Sequence, residues 1–484
     1  MNRNKTSLFH AGLSAAEIPT ITSYGFPIGN LPVRYLGLPL MCRKLRINEY
    51  APLLDKISFK FRAWAAKTLS FAGRLQLISS VIYGTINFWM STIVLPKGCI
   101  KKIESMCANF LWSGTVENHN KAKVAWTTVC LPKREGGLDL RKLTVWNTTL
   151  CLKLIWLLFA NSGSLWVAWH HHHHSLSSVS FWALKERNSD SWLWKSLLKL
   201  RHLADRFIKC NMGTGGNIWF WYDNWTPMGP LIRYLGDSGP SCLRIPLSAR
   251  VANAYNNVGW LLAPPRSDMA LSLHIHLSTI PLPADSDGED VFGWFVDGKL
   301  CGNFTASKTW EALRPRDTVK DWAPLIWFKG STPRHAFNMW VSNLDRLPTL
   351  ARLAAWGLQG SVLCGFCSAS TETRDHIFLL CPFTKVIWSL ICQRLGLSSS
   401  SFASWDSLMA WTRVRNLSSP RTLRLLLTQA LVYTVWRQRN NLMHNQIRIP
   451  PQAIFKDIDR QIINSITARR HLKNFRSLMQ HWLY

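Results

Sequence analysis

The chain has 484 residues, 47% of them hydrophobic, so it is long enough for about two to four domains with real cores and too apolar for wholesale disorder. Its 57 Lys and Arg against 27 Asp and Glu give a net charge of +30, which favours a polyanionic partner, RNA or DNA, over a plain basic surface. The 26 Trp need burial or a flat partner.

Two features of the sequence bear on location. The first ten residues, MNRNKTSLFH, lack the apolar stretch of a secretory signal, and 12 Cys in such a chain predict reduced thiols plus a metal site instead of a disulfide framework. Residues 75–95 carry no charge, but polar residues and a glycine interrupt them, so we predict a buried helix or helix pair and no membrane partner. We therefore expect a nuclear or cytoplasmic protein that is not secreted.

The first 115 residues predict a helical bundle. After an extended start at residues 31–40, apolar residues recur at helical spacing over residues 50–64, and further helices are predicted over residues 70–89 and 100–112. Residues 1–150 hold 20 Lys and Arg against 7 Asp and Glu. The basic side chains predicted to contact phosphates here, with a solvated basic face as the equal alternative, are Lys60, Arg62, Lys67 and Arg74.

The middle of the chain changes character. A glycine turn precedes a predicted apolar helix over residues 145–159, and the five histidines at 170–174 are interpreted as a solvated low-complexity run. The Trp-rich residues 213–225 alternate as short strands would. Residues 226–290 are rich in Pro, Gly, Ser and Asp and predict a loosely ordered linker.

The last third of the chain predicts a small hairpin with its turn at Asp297-Gly298, followed by helices. The helices are predicted over residues 323–327, 334–344, 349–356 and 383–395. The tail from residue 411 to the end has 13 Lys and Arg against two Asp. Within it, Arg437 and Arg439 are predicted either to contact phosphates or to form the basic outer face of an amphipathic helix.

A Cys/His cluster lies within this helical region. Its members follow the order C-x2-C-x8-H-x4-C and are Cys364, Cys367, His376 and Cys381. A C-x-x-C turn delivers two thiolates from one loop, and a His and a third Cys complete the tetrahedral set that structural Zn²⁺ prefers. We interpret the cluster as a zinc site, with a reduced, buried Cys cluster as the alternative. The aromatic residues expected to pack around it are Trp356, Phe366, Phe378 and Trp388.

Short motifs are spread over nearly the whole chain. They are RYLGLPL at 34–40, LSFAGRL at 69–75, FLWSG at 110–114, KVAW at 123–126, CLPK at 130–133, GGL at 136–138, the Trp-rich 213–225, RLPT at 346–349, and the Cys/His cluster with Glu372. Together they resemble the C-terminal part of plant LINE-type (non-LTR) retrotransposon reverse transcriptases. The stretch from RLPT through the Cys/His cluster looks like that family's reverse-transcriptase zinc-binding domain.

The resemblance implies that the cluster residues are structural zinc ligands and that residues 1–115 form a thumb-like bundle. Nucleotidyl transfer needs paired carboxylates that hold two metal ions, and the sequence contains no Asp-Asp pair. We therefore expect no polymerase activity from this chain on its own, and sequence-nonspecific binding of RNA or DNA, in a retroelement ribonucleoprotein. The alternatives are a zinc-stabilised protein-interaction module in a ribonucleoprotein, or a fragment of a complete RNA-directed DNA polymerase.

The predicted fold class is mainly α with small β segments (α+β). The predicted divisions are a thumb-like helical region at 1–115, a helical connection at 116–210, a Trp-rich short-strand region and linker at 211–300, the zinc-binding domain at 301–395, and a basic helical tail at 396–484.

Overall fold

The structure is a computed structural model that describes residues 6–483 apart from 11–12, 15, 30, 42, 65–68, 118–121, 161, 283–287, 399–401 and 415–418. The described residues are mainly helical and include two small antiparallel sheets, which confirms the predicted fold class. Among the described helices, none combines the length and the apolar character needed to cross a bilayer.

In the first half of the chain the described α-helices are α1 (Ile18–Thr22), α2 (Ala51–Ala63), α3 (Phe71–Leu77), α4 (Tyr83–Met90), α5 (Lys97–Ser113), α6 (Trp126–Val129), α7 (Leu143–Leu157), α8 (Leu165–His173), α9 (Trp192–Lys199), α10 (Arg201–Ala204), α11 (Leu231–Leu235) and α12 (Gly239–Leu243). In the second half they are α13 (Asp268–Ser278), α14 (Ala306–Leu313), α15 (Ala323–Ile326), α16 (Pro333–Asn343), α17 (Leu350–Ala355), α18 (Pro382–Arg394), α19 (Trp405–Arg413), α20 (Arg421–Asn445), α21 (Pro451–Ala468) and α22 (Leu478–Leu483). Several α-helices, among them α2, α5, α7, α16 and α18, lie within a few residues of the predicted segments, and others lie where no helix was predicted. Two π-helical turns, Ile78–Ile82 and His376–Leu380, lie beside α3 and α18.

The strands are short. They are β1 (Val33–Tyr35), β2 (Leu38–Leu40), β3 (Ile208–Asn211), β4 (Val291–Val296) and β5 (Lys299–Cys301). Strands β1 and β2 form one hairpin, and β3-β4-β5 form an antiparallel sheet in that order. The turn between β4 and β5 is Asp297-Gly298, and both residues have positive φ, +48° and +75°, as a tight two-residue hairpin requires. The predicted hairpin is therefore confirmed.

The first of two compact units consists of Met1–Asp55, Thr85–Lys101 and Lys142–Pro315. One of its hydrophobic clusters surrounds Trp194 and Trp294. The indole of Trp294 stacks on Phe207 with ring centroids 5.0 Å apart, and its Nε1 donates to Thr309 Oγ1 at 2.9 Å. The buried indole thus has both an aromatic contact and a hydrogen-bond acceptor, which is what such a group needs away from water.

The strands predicted over residues 213–225 are wrong, because among the described residues the backbone there makes only an isolated bridge, Trp219 to Arg250. Residues 218–221 are all buried, so the segment does not alternate between a core face and a solvent face. The Asp290 carboxylate fixes the preceding glycine loop, since it accepts backbone N–H hydrogen bonds from Gly213, Gly215 and Asn217 at 2.7–2.8 Å.

The linker predicted over residues 226–290 is also wrong for the described part of that segment. Helices α11, α12 and α13 lie there and bury Leu231, Leu243 and Leu273 in a second hydrophobic cluster with Trp221. The Pro and Gly residues separate these short helices and do not prevent packing. Helices α11 and α12 have only five residues each, too few for a periodic apolar pattern, whereas α13 buries Ala270, Leu273 and Leu277 at helical spacing.

The histidine run is not wholly solvated. His170 and His174 lie four residues apart on one face at the end of α8, and each is 4% exposed. Both rings stack on Trp194, with centroids 4.4 and 4.0 Å from it. Burial lowers the pKa of His170 to about 4, so this ring is neutral near pH 7 and contributes to the hydrophobic core.

The second compact unit consists of Lys56–Gly84, Lys102–Arg141 and Arg316–Tyr484. Helix α20 is its central element, because α16, α19 and α21 all pack against it. Residues 423–432 of α20 are buried without a break, as expected for a helix with neighbours on several sides. Helix α21 packs on both α18 and α20, and Cys381 directly precedes the first residue of α18.

Candidate metal centre and basic residues

The loop that carries the first two cysteines is a compact turn. Leu363 and Thr371 form a β-bridge that closes it, and the N–H of Cys364 donates to Ser370 O at 2.8 Å. Ser368 has φ of +55° and its N–H donates to Cys364 O at 2.7 Å, so the chain turns back directly after Cys367. These local hydrogen bonds therefore shape the turn that carries the C-x-x-C pair.

The second pair comes from the segment that leads into α18. His376 begins the π-helical turn, and its N–H donates to Thr373 Oγ1 at 3.1 Å. The N–H of Cys381 donates to His376 O at 2.7 Å, and Cys381 is the N-cap residue of α18. The π-helical turn between them places the side chains of His376 and Cys381 close together. Such turns often occur at functional sites.

The four side chains converge. Their ligand atoms all lie within 4.8 Å of one another, and three of the four residues are buried while Cys367 is half-buried. Cys364 Sγ lies 3.9 Å from Cys381 Sγ, and Cys367 Sγ lies 3.3 Å from His376 Nε2. A tetrahedral zinc with Zn–S near 2.3 Å and Zn–N near 2.0 Å requires separations of about 3.8 Å between sulfurs and about 3.5 Å between sulfur and nitrogen.

The donor set fits a structural zinc ion, because Cys₃His is a closed set with no position left for a reacting water. Without a cation the two buried thiols share one charge: a hydrogen bond from Cys381 lowers the pKa of Cys364 to about 5, and the same contact raises the pKa of Cys381 far above that of an ordinary thiol. A metal ion would supply the positive charge that lets both sulfurs be thiolates.

Three of the four aromatic residues predicted around the cluster are buried there. Phe366 stacks on Phe383 with centroids 4.3 Å apart, and Trp388 Nε1 donates to Phe378 O at 2.9 Å. The fourth prediction is wrong, because Trp356 is 58% exposed. Trp356 follows the last residue of the short helix α17, where the chain turns into a loop, so its ring faces solvent near Arg352.

Two contacts from the tail support the metal segment, and neither was visible in the sequence. The guanidinium of Arg439 in α20 donates to the buried carboxylate of Glu372, which lies between Cys367 and His376. Arg448 Nη2 donates to Phe366 O at 2.9 Å, inside the C-x-x-C turn. The tail therefore holds the metal segment in place through charge-assisted hydrogen bonds.

The basic residues of the first 115 positions that were predicted to contact phosphates lie in different environments. Arg62 is 67% exposed and pairs with Glu117, and Lys60 is half-buried. Arg74 donates to Leu111 O at 3.3 Å and lies over the Phe71 ring, and burial lowers its pKa. Lys67 lies outside the described residues.

The two tail arginines differ sharply. Arg437 is 45% exposed and pairs with Asp457. Arg439 has a side chain only 6% exposed and is committed to Glu372, so the prediction that it contacts phosphates is corrected. Positions 437 and 439 are two residues apart and lie on different faces of α20, and only the first faces outward.

Comparison with known proteins agrees with the geometry. Residues 304–388 match the family model described as zinc-binding in reverse transcriptase. The chain is 25% identical over 378 residues, 76% of its length, to an Arabidopsis thaliana protein named "Putative ribonuclease H protein", and it spans 60% of that relative's length. It is also 28% identical over 151 residues, 29% of its length, to 95% of an uncharacterized mitochondrial protein of Arabidopsis thaliana.

The matched segment contains all four cluster residues together with Glu372, and both relatives come from a plant. The predicted resemblance is therefore confirmed: the chain is similar to two plant proteins, and residues 304–388 match the zinc-binding domain of reverse transcriptases.

Proposed function

We propose that this chain binds RNA or DNA without sequence specificity, and that Cys364, Cys367, His376 and Cys381 hold one structural zinc ion that stabilises the binding unit. The observation that carries the proposal is the distribution of charge. The unit that contains the Cys/His cluster has 33 Lys and Arg against 12 Asp and Glu, a net +21 of the total +30. A field of this sign and size attracts phosphate backbones irrespective of sequence.

The zinc contributes to this function through structure. Within residues 364–375 the one large apolar side chain is that of Phe366, and hydrogen bonds from Arg439 and Arg448 connect this stretch to α20 and to the segment after it. Structural zinc contributes on the order of 10–16 kcal/mol of apparent binding free energy, which is enough to fix such a segment. We place no catalytic step at the cluster, because all four positions of the tetrahedron are taken by protein ligands.

The test is the salt dependence of binding. Affinity for single-stranded and duplex RNA and DNA is measured between 50 and 200 mM salt, and we expect log affinity to fall linearly with log salt. Replacing the exposed Arg470, Lys473 and Arg476 by Gln should reduce the slope by about 2 to 3, while exchanging Arg and Lys at the same positions should preserve it. Absence of binding, or binding that is insensitive to salt, overturns the proposal and favours a protein-interaction module.

A second candidate function comes from the printed name of one relative, a ribonuclease H protein. Cleavage of the RNA strand of an RNA–DNA hybrid in the presence of Mg²⁺ tests it directly. We propose binding without cleavage; release of RNA fragments at a rate proportional to enzyme concentration would show hydrolysis instead.

A further inference from the structure

The second unit contains a cavity of 410 Å³ that the proposed function does not yet use. It lies between the first turn of α3, helix α16 and the second half of α20. Its volume falls within the range of pockets that bind small molecules or single groups of a larger ligand. Its lining combines cations, side-chain amides and aromatic rings, and among the described residues no Asp or Glu lines it.

Three cations line the cavity: Lys123, Arg334 and Arg437. Lys123 Nζ lies 5.0 Å from the centroid of the Phe71 ring, and burial lowers the pKa of this ammonium group to about 8. Arg334 and Arg437 lie over the Tyr433 ring at 5.3 and 5.9 Å. Among the described residues, Arg437 is the one cation of the three that pairs with a carboxylate, that of Asp457. The concentrated positive charge suits an anion.

Aromatic and amide groups share the same cavity. Tyr433 is half-buried, and the centroid of its ring lies 4.6 Å from that of the His335 ring. Phe71 stacks on Phe337 with ring centroids 5.2 Å apart. The carboxamides of Asn440 and Asn441 also line the space and can both donate and accept hydrogen bonds. A ligand that fits must therefore present a flat ring, polar edges and a negative charge together.

We propose that this cavity accepts one nucleotide of a single-stranded RNA or DNA, with its base against Tyr433 and its phosphate near Lys123, Arg334 and Arg437. This inference rests on the proposed function and deepens it, because it assigns a place where a base is bound. A single strand is favoured over a duplex, since only an unpaired base can enter a concave site and expose its face to an aromatic side chain. Binding through base stacking and charge alone does not depend on the nucleotide sequence.

The experiment uses the full, zinc-loaded chain with two probes, a 15-nucleotide oligouridylate and a duplex of 20 base pairs, at 100 mM salt. Tyr433→Leu should lower affinity for the single strand by about 5- to 150-fold, the range of one lost base stack. Lys123→Gln should lower it by more than Lys329→Gln, which removes an equal charge from an exposed position away from the cavity. Duplex affinity should change by less than about twofold in the Tyr433 variant.

A second measurement does not depend on the variants folding. Photocrosslinking of wild-type protein to an oligonucleotide that contains 4-thiouridine should label the tryptic peptide of residues 425–437, which carries Tyr433. Zinc content of one ion per chain identifies the variants that are folded.

Three results would overturn the inference: folded Tyr433 and Lys123 variants that bind the single strand as wild type does, equal losses for duplex and single strand, or crosslinks that avoid residues 425–437. If salt-dependent binding persists in those cases, the proposed function stands and only the pocket assignment fails. If no nucleic acid binds at any salt concentration, both fail.

Discussion

The guanidinium of Arg439 donates to both carboxylate oxygens of Glu372, with Nη2 2.7 Å from Oε1 and both side chains buried. Glu372 Oε1 also accepts the N–H of Leu350 at 2.9 Å, at the start of α17. One ion pair thus connects the central helix α20, the short helix α17 and the loop between the two halves of the metal cluster. Residues 304–388 alone, the matched zinc-binding segment, would lack Arg439 and leave this carboxylate unpaired.

Removing one partner of this pair should be strongly destabilising. Arg439→Leu leaves the Glu372 carboxylate buried without a counter-charge, and we expect a loss of about 3–5 kcal/mol in the free energy of unfolding. Denaturant unfolding of the zinc-loaded chain measures it. Arg460→Leu is the matched control, because Arg460 is 76% exposed in its pair with Asp457 and should lose at most about 1 kcal/mol. Equal losses in the two variants would contradict the assignment.

The assignment of the Cys/His cluster as a zinc site predicts the zinc stoichiometry of the chain. The double variant Cys364→Ser, Cys367→Ser should lose tightly bound zinc, because two hydroxyls replace two thiolate ligands. Elemental analysis after dialysis measures the content, with one ion expected for wild type. Cys242→Ser, at an exposed cysteine outside the cluster, should retain the ion. One tightly bound zinc in the double variant would disprove the ligand assignment.

Chelation should act through the same site. A strong chelator is expected to lower the melting temperature of wild-type protein, because the zinc binding energy contributes to folding of this segment. The double cysteine variant should already melt at the lower temperature and show no further shift. A chelator-induced shift of equal size in both proteins would place the metal effect elsewhere.

The sequence was sufficient for features that depend on near neighbours. All four cluster residues lie within 18 positions, so their spacing was enough to predict that they come together. The Asp297-Gly298 turn depends on two adjacent residues. Helices with regular apolar spacing, such as α2 and α5, were found for the same reason. What could not be predicted depends on partners far apart. Glu372 and Arg439 are 67 positions apart, and their pairing requires knowledge of the packing of α20.

The histidine run illustrates the same limit. Five consecutive histidines have no periodic pattern, and only the position of Trp194 decides that two of the five are buried. Lys123 was part of the KVAW motif that carried the resemblance, but its place beside Arg334 and Arg437 became apparent only from the cavity. The net charge can be counted from the composition, but the fold determines which charged side chains face solvent and which are buried.

A glycine of the GGL motif should be intolerant of any side chain. A Cβ at Gly137 would lie 2.0 Å from Leu131 O and 2.6 Å from Thr128 O, and backbone atoms cannot rotate away. Gly137→Ala should therefore destabilise the second unit by several kcal/mol, on the order of 3 or more, measured by denaturant unfolding. Gly84→Ala is the control, because its Cβ would meet nothing within 4 Å on an exposed position of α4, where Ala favours the helix by up to about 1 kcal/mol.

The buried ammonium of Lys123 predicts an unusual pH dependence of stability. Its pKa falls from 10.5 to about 8 in the folded chain because burial disfavours the charged form. The cost of that charge is therefore complete below pH 8 and shrinks between pH 8 and 10.5, as the folded protein releases the proton before the unfolded chain does. The other cationic side chains that line the cavity with Lys123 are those of Arg334 and Arg437.

Lys123→Met should consequently be more stable than wild type at pH 7, by about 1–2 kcal/mol after allowance for the half-buried position of the side chain. The difference should shrink from pH 8 to pH 10, because the folded wild-type protein loses the Lys123 proton over this range, and should vanish only above pH 10.5. Free energies of unfolding at pH 7, 8, 9 and 10 measure it, with Lys329→Met as an exposed control that should show no pH-dependent difference. A constant difference at all four pH values would mean that Lys123 is charged throughout and that the cavity holds its charge without a penalty, and a nucleotide phosphate would then gain less by binding there.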